Sequence, residues 1–98
     1  MIQITTNNDV MIAVFQQDIN FETTRIMEEI LRHHTYSNIS RLQIDLSAVR
    51  FIDSSGVRLF ISWLYPLKDR IHIEIMGASA PIKNVLSICQ IDQFVDVK

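Results

Sequence analysis

With a single cysteine, Cys89, the chain has no internal disulfide available, and its fold must rest on an apolar core rather than on covalent cross-links. Glycine is nearly as scarce: only Gly56 and Gly77 occur, which excludes the glycine-rich loops that cradle nucleotide phosphates. An excess of one charge is lacking too. Nine basic residues against eleven acidic ones leave a formal net charge of −2, with no positive surplus to hold a nucleic acid or an anionic membrane. No apolar run approaches the roughly 20 residues of a membrane span, and Met1-Ile2-Gln3-Ile4-Thr5-Thr6 has neither the basic start nor the apolar stretch of a secretory signal. The expectation is a soluble, cytoplasmic protein with no nucleic-acid partner and no membrane insertion, in a reducing compartment that suits its lone thiol.

What is present is apolar patterning: 48% of the 98 residues are hydrophobic, enough for one modest core, so residues 1–98 are read as one domain. The runs Ile2 to Thr5 and Val10 to Phe15 flank the turn-forming Thr6-Asn7-Asn8-Asp9 and predict a hairpin. Phe21 to His34 sets Ile26, Ile30, Leu31 and His34 at helical spacing, with Asn20 as the N-cap. Leu42 to Leu46 alternates as a strand. A second helix starts at Asp53-Ser54-Ser55-Gly56 and runs to Tyr65, where Pro66 ends it. Its expected inner face is Val57, Phe60, Ile61 and Leu64, widened by Leu59 and Trp63. Ile71 to Met76 alternates again, so strand, helix and strand make a right-handed βαβ unit. Ser79 caps a last helix with Ile82, Val85, Leu86 and Cys89 inward, and Phe94 to Lys98 suggests a short final strand. The fold class is α/β: a mixed sheet of four to five strands with about three main helices.

One constellation carries chemistry. Asp53-Ser54-Ser55-Gly56 lies where a strand hands over to a helix, so the free N–H groups of the first helical turn favour an anion there. A phosphate on Ser54 would be tolerated by the fold but would place about −1.5 to −2 charges beside Asp53. The competing reading makes Asp and Ser ordinary caps and Gly56 a packing residue. His33, His34, His72 and Cys89 show no usual metal spacing, so no metal and no cofactor are expected. No histidine lies in the motif to act as a base, and Gly-x-Ser-x-Gly is absent there, so a hydrolase is disfavoured and the chain is read as a non-enzyme.

The segment Leu42-Gln43-Ile44-Asp45-Leu46-Ser47-Ala48-Val49-Arg50-Phe51-Ile52-Asp53-Ser54-Ser55-Gly56-Val57 resembles the signature of STAS domains of the bacterial anti-sigma factor antagonists, and length and element order agree over almost the whole chain. The resemblance implies that Ser54, with Ser55 as second choice, is phosphorylated by a partner serine kinase that is also the anti-sigma factor. A PP2C-type phosphatase would restore the form that binds. The implied docking residues are Asn20, Asp53, Ser54, Ser55, Gly56, Val57 and Arg58. The family's loop before the first long helix often carries Gly and Asp, whereas this chain has Gln17-Asp18-Ile19-Asn20, placing Asn20 near the usual acidic position with Asp18 as a possible substitute. The alternative is a constitutive scaffold, as in a stressosome-type assembly or a lipid-transport ABC system, with Ser54 only a helix cap. A small enzyme or ligand carrier is a third reading. A monomer and a homodimer both fit.

Overall fold

The hydrophobic alternation of the first fifteen residues produces two antiparallel strands, β1 (Ile2–Asn7) and β2 (Val10–Phe15), in the computed structural model, which describes residues 1–98. β1 runs two residues further than expected and pairs Asn7 with Val10, leaving Asn8-Asp9 as the turn; Asn8 takes a left-handed φ of 58°, which asparagine tolerates. Three crossovers follow: α1 (Thr24–Arg32) leads to β3 (Arg41–Asp45), α2 (Ser54–Leu64) to β4 (His72–Met76), and α3 (Ala80–Ile88) to β5 (Asp96–Val97). The sheet order is β1-β2-β3-β4-β5, and every pairing after the hairpin is parallel.

Register gives the sheet two unlike faces. Met11, Leu42 and Ile73 align, as do Ala13, Ile44 and Ile75; these buried residues join Phe15, Phe60, Ile82 and Leu86 in one core cluster. The opposite face carries Thr5, Ile12, Gln43, Glu74 and Asp96 in one row and is half-buried to exposed apart from Glu74. Phe15, Phe60 and Trp63 pack edge-on or tilted at centroid distances of 5.6–6.1 Å, fixing α2 over the hairpin end of the sheet. The Trp63 indole donates to the Tyr36 hydroxyl (3.0 Å), which donates to the Leu31 carbonyl (2.9 Å), tying α2 to the end of α1.

α1 and α2 are rotated relative to the sequence expectation, whereas α3 buries Ile82 and Leu86 as expected. In α1 the inward residues are Met27 and Leu31, while Ile26 is 52% exposed, because the neighbouring i,i+4 pair turns to the core. In α2 the buried face is Gly56, Leu59, Phe60 and Leu64; Val57 is half-buried and Ile61 exposed. The close approach at Gly56 sets that rotation, placing positions 59, 60 and 64 over the sheet. α2 ends at Leu64, and Pro66 sits inside a short 3-10 turn, Tyr65–Leu67, that buries Leu67. Ser79 caps α3 as expected, accepting from the Ile82 N–H (3.4 Å), and Cys89 is its half-buried C-cap. Gly77 turns β4 into α3 with φ +75°, and a Cβ there would collide with the Ser47 side chain.

Three carboxylates hold loops and strands together and titrate below their usual range. The Ser40 hydroxyl lowers Asp9 and the Ser47 hydroxyl lowers Asp45. Burial pushes Glu74 up, but bonds from Gln43 and Lys98 and the Arg41 charge outweigh it. A carboxylate depressed in the folded state contributes stability above its unfolded pKa, and loses it as pH falls through the folded value. The melting temperature is therefore expected to fall once pH drops below about 4. Thermal melts from pH 7 to pH 2 check this; a constant midpoint would contradict it.

Candidate functional site

The Asp53 backbone is extended (φ −101°, ψ −171°), which aims its carboxylate back over the first turn of α2. One oxygen, Oδ1, accepts from the Gly56 N–H (3.1 Å), while Oδ2 accepts from the Phe21 N–H (3.0 Å) across the loop that precedes α1. Asp53 therefore caps α2 and clamps two loops with one side chain. Ser54 is the first helical residue, exposed, and is not the cap; the capping reading of Ser54 is replaced by Asp53. Ser55 is half-buried and lines an open groove between α1 and α2 together with Phe21, Arg25, Glu28 and Arg58.

The floor beneath this helix start is built from the neighbouring loop. Asp53 N–H donates to the Ile19 carbonyl (3.2 Å) and Ile19 N–H to the Phe51 carbonyl (3.1 Å), a parallel bridge between Ile19 and Ile52. Asp18 Oδ1 accepts from the N–H groups of Arg50 (2.7 Å) and Phe51 (3.3 Å), and its other oxygen lies 3.8 Å from the Arg50 guanidinium. A Cβ on Gly56 would stand 2.7 Å from the Ile19 carbonyl oxygen, so glycine is what lets the helix sit on this loop.

Of the expected site residues, Asp53, Ser54, Ser55, Gly56, Val57 and Arg58 form one helix start, with Ser54 and Arg58 exposed, Val57 half-buried and Gly56 buried. Asn20 is brought beside it, where its Oδ1 accepts from the N–H groups of Glu22 (2.9 Å) and Thr23 (3.1 Å), closing a turn before α1 begins at Thr24. The helix expected to start directly after Asn20 thus starts one turn later. Sequence reading missed Phe21 and Phe51, which are 79% and 67% exposed and whose N–H groups are held by Asp53 and Asp18. Elsewhere in the fold, His72, Glu74 and Asp96 have side-chain nitrogen and oxygen atoms within 4.8 Å of one another, because strand pairing joins positions far apart in sequence.

A partly parallel sheet open on one face, with an Asp-Ser-Ser-Gly helix start reached by a loop from its third strand, defines a small α/β domain of STAS architecture. The chain belongs to the STAS domain family, whose sequence model matches residues 1–98. Its fold is similar to that of an anti-sigma factor antagonist from Mycobacterium paratuberculosis (TM-score 0.85, 16% identity, 99% of this chain and 83% of that one). The Bacillus anti-sigma factor antagonist SpoIIAA is similar in its unphosphorylated form (0.74, 12%, 100% and 87%). It is also similar in its phosphorylated form (0.69, 12%, 100% and 91%). The STAS domain of a SulP transporter from Vibrio cholerae gives 0.73 at 18% identity over 95% of this chain and 75% of that one. No curated protein matches the chain in sequence. No helix is long and apolar enough to cross a membrane.

Proposed function

We propose that this domain is a phosphorylation-controlled protein-binding switch of the anti-sigma factor antagonist type. Unmodified Ser54 presents a docking surface for a serine kinase that doubles as an anti-sigma-type regulator; phosphorylation releases that partner, and a PP2C-type phosphatase resets the switch. The observation that carries the reading is the exposed Ser54 hydroxyl at the first position of α2, with the capping bond supplied by Asp53, so that modification costs the helix no cap. The similarity to SpoIIAA in both phosphorylated and unphosphorylated forms supports the same reading. The free N–H groups of the first turn favour a phosphate, while its charge beside Asp53 disfavours an approaching apolar surface. The domain needs no cofactor for this role and acts in the cytoplasm as substrate and ligand, not as an enzyme.

The test is incubation with a serine kinase of the anti-sigma type from the same organism and ATP, with the modified residue located by mass spectrometry. Phosphate is expected on Ser54, retained in Ser55→Ala and lost in Ser54→Ala. Stable binding of such a kinase with no phosphate on either serine would favour the constitutive scaffold instead.

A further inference from the structure

The open face of the sheet ends in a charged cluster remote from the Ser54 surface. His72 and Glu74 project from the same side of β4, two residues apart, and Asp96 on β5 pairs directly with Glu74. His72 Nε2 lies 3.9 Å from both Glu74 Oε2 and Asp96 Oδ2. Glu74 is the one buried charged residue of the protein, at 8% exposure. Its other oxygen, Oε1, is fixed by the Gln43 amide (3.3 Å) and Arg41 Nε (3.5 Å), which leaves Oε2 aimed at His72 and Asp96. A cation already uses that geometry: Lys98 Nζ sits 3.4 Å from Glu74 Oε2 and 3.0 Å from Asp96 Oδ2.

We propose that His72, Glu74 and Asp96 form a binding site for a divalent transition metal of the zinc class, with Lys98 as the resident cation that the metal displaces. One nitrogen and two carboxylate oxygens are a donor set zinc accepts, with water as the fourth ligand. Tetrahedral bonds of about 2.0–2.2 Å bring ligand atoms to roughly 3.4 Å of one another, so closure draws the half-exposed His72 and Asp96 side chains toward the buried Glu74 from starting separations of 3.9 Å at His72 and no more than 4.8 Å overall. Arg41 and Gln43 act as the outer partners that orient the ligating carboxylate. Neutral His72 donates a lone pair, and the Lys98 ammonium swings into solvent with its proton, so charge is exchanged without covalent change. An ammonium competes through its charge and its N–H hydrogen bonds, whereas a zinc-class ion carries twice the charge and also gains the imidazole bond. Hard ions such as Mg2+ gain little from nitrogen and should not displace Lys98. The bound ion would join β5, only two residues long, to β4, bracing the least anchored strand of the sheet.

The measurement is isothermal titration of the intact chain with zinc chloride in a weakly coordinating buffer, with circular dichroism on each variant. One zinc per chain is expected, and His72→Ala should weaken it by at least about tenfold. Lys98→Met should tighten it by removing the competing ammonium, while Mg2+ should give no heat above dilution. His33→Ala and His34→Ala should leave zinc binding unchanged. Absence of zinc binding to the wild type overturns the proposal, as does binding that survives His72→Ala or weakens in Lys98→Met. A rise in melting temperature with zinc that persists in folded Asp96→Asn at the same zinc concentration would overturn it too.

Discussion

Ser54→Asp is expected to lower affinity for the kinase-type partner by at least about tenfold, roughly 1.4 kcal/mol or more, while leaving the fold and melting temperature close to those of the wild type. The two halves of that result have separate causes. Stability is preserved because position 54 is exposed, is not the cap, and lies at the positive end of α2, where a carboxylate is favourable by about 0.3–1 kcal/mol. Binding is expected to fall because the new charge stands beside Asp53, whose carboxylate holds the N–H of the exposed Phe21, an apolar ring available to a partner. Burying an unpaired charge in such a contact is costly, and adjoining Asp53 offers it repulsion, not a partner. Titrations of the same kinase against wild type, Ser54→Ala, Ser54→Asn and Ser54→Asp separate charge from size. Wild type and Ser54→Ala should bind alike, Ser54→Asn slightly less and Ser54→Asp least. A phosphate on Ser54, with more charge than aspartate, should weaken binding further. Equal affinity for all four would remove the switch and leave a constitutive scaffold.

Local features of this fold were legible in the sequence because they are carried by a few adjacent residues. Asn8-Asp9 between alternating apolar runs is a hairpin in itself, Ser79 three residues before Ile82 is a cap, and Asp53 three residues before Gly56 is another. Resemblance over Leu42 to Val57 added the family. What stayed hidden depends on contacts distant in sequence. Nothing near Phe21 announces that its N–H will be held by Asp53, or that Asp18 will gather the amides of Arg50 and Phe51. The choice between Ile26 and Met27 as the inward residue was equally undetermined, since both begin an apolar i,i+4 pair and only packing against α2 decides. The His72 cluster was invisible for a related reason: metal spacing rules assume ligands grouped along the chain, whereas here a parallel register between β4 and β5 assembles them.

Gly56→Ala is the substitution where helix propensity and packing predict opposite signs, so its outcome measures how tightly the site is built. In an exposed helix the change would stabilise by about 0.8–1 kcal/mol. Here the added Cβ would stand 2.6 Å from Ile52 Cγ1, 2.7 Å from the Ile19 carbonyl oxygen and 2.9 Å from Ile19 Cγ2. Two of these neighbours belong to β-branched side chains with little rotamer freedom. The third is main chain, and it is committed to the Asp53 N–H at 3.2 Å, so it cannot retreat without breaking the bond that seats the motif. Packing should win, giving a net loss of about 1–3 kcal/mol. In a domain of 98 residues each kcal/mol lowers the melting temperature by about 4–8 °C, readily seen by calorimetry. The same displacement of α2 would draw Asp53 away from the Phe21 N–H, so kinase binding should weaken even under conditions where Gly56→Ala is folded. A melting temperature that rises instead would mean that α2 stands off the loop, and that the clamp between Asp53 and Phe21 does not position the Ser54 surface.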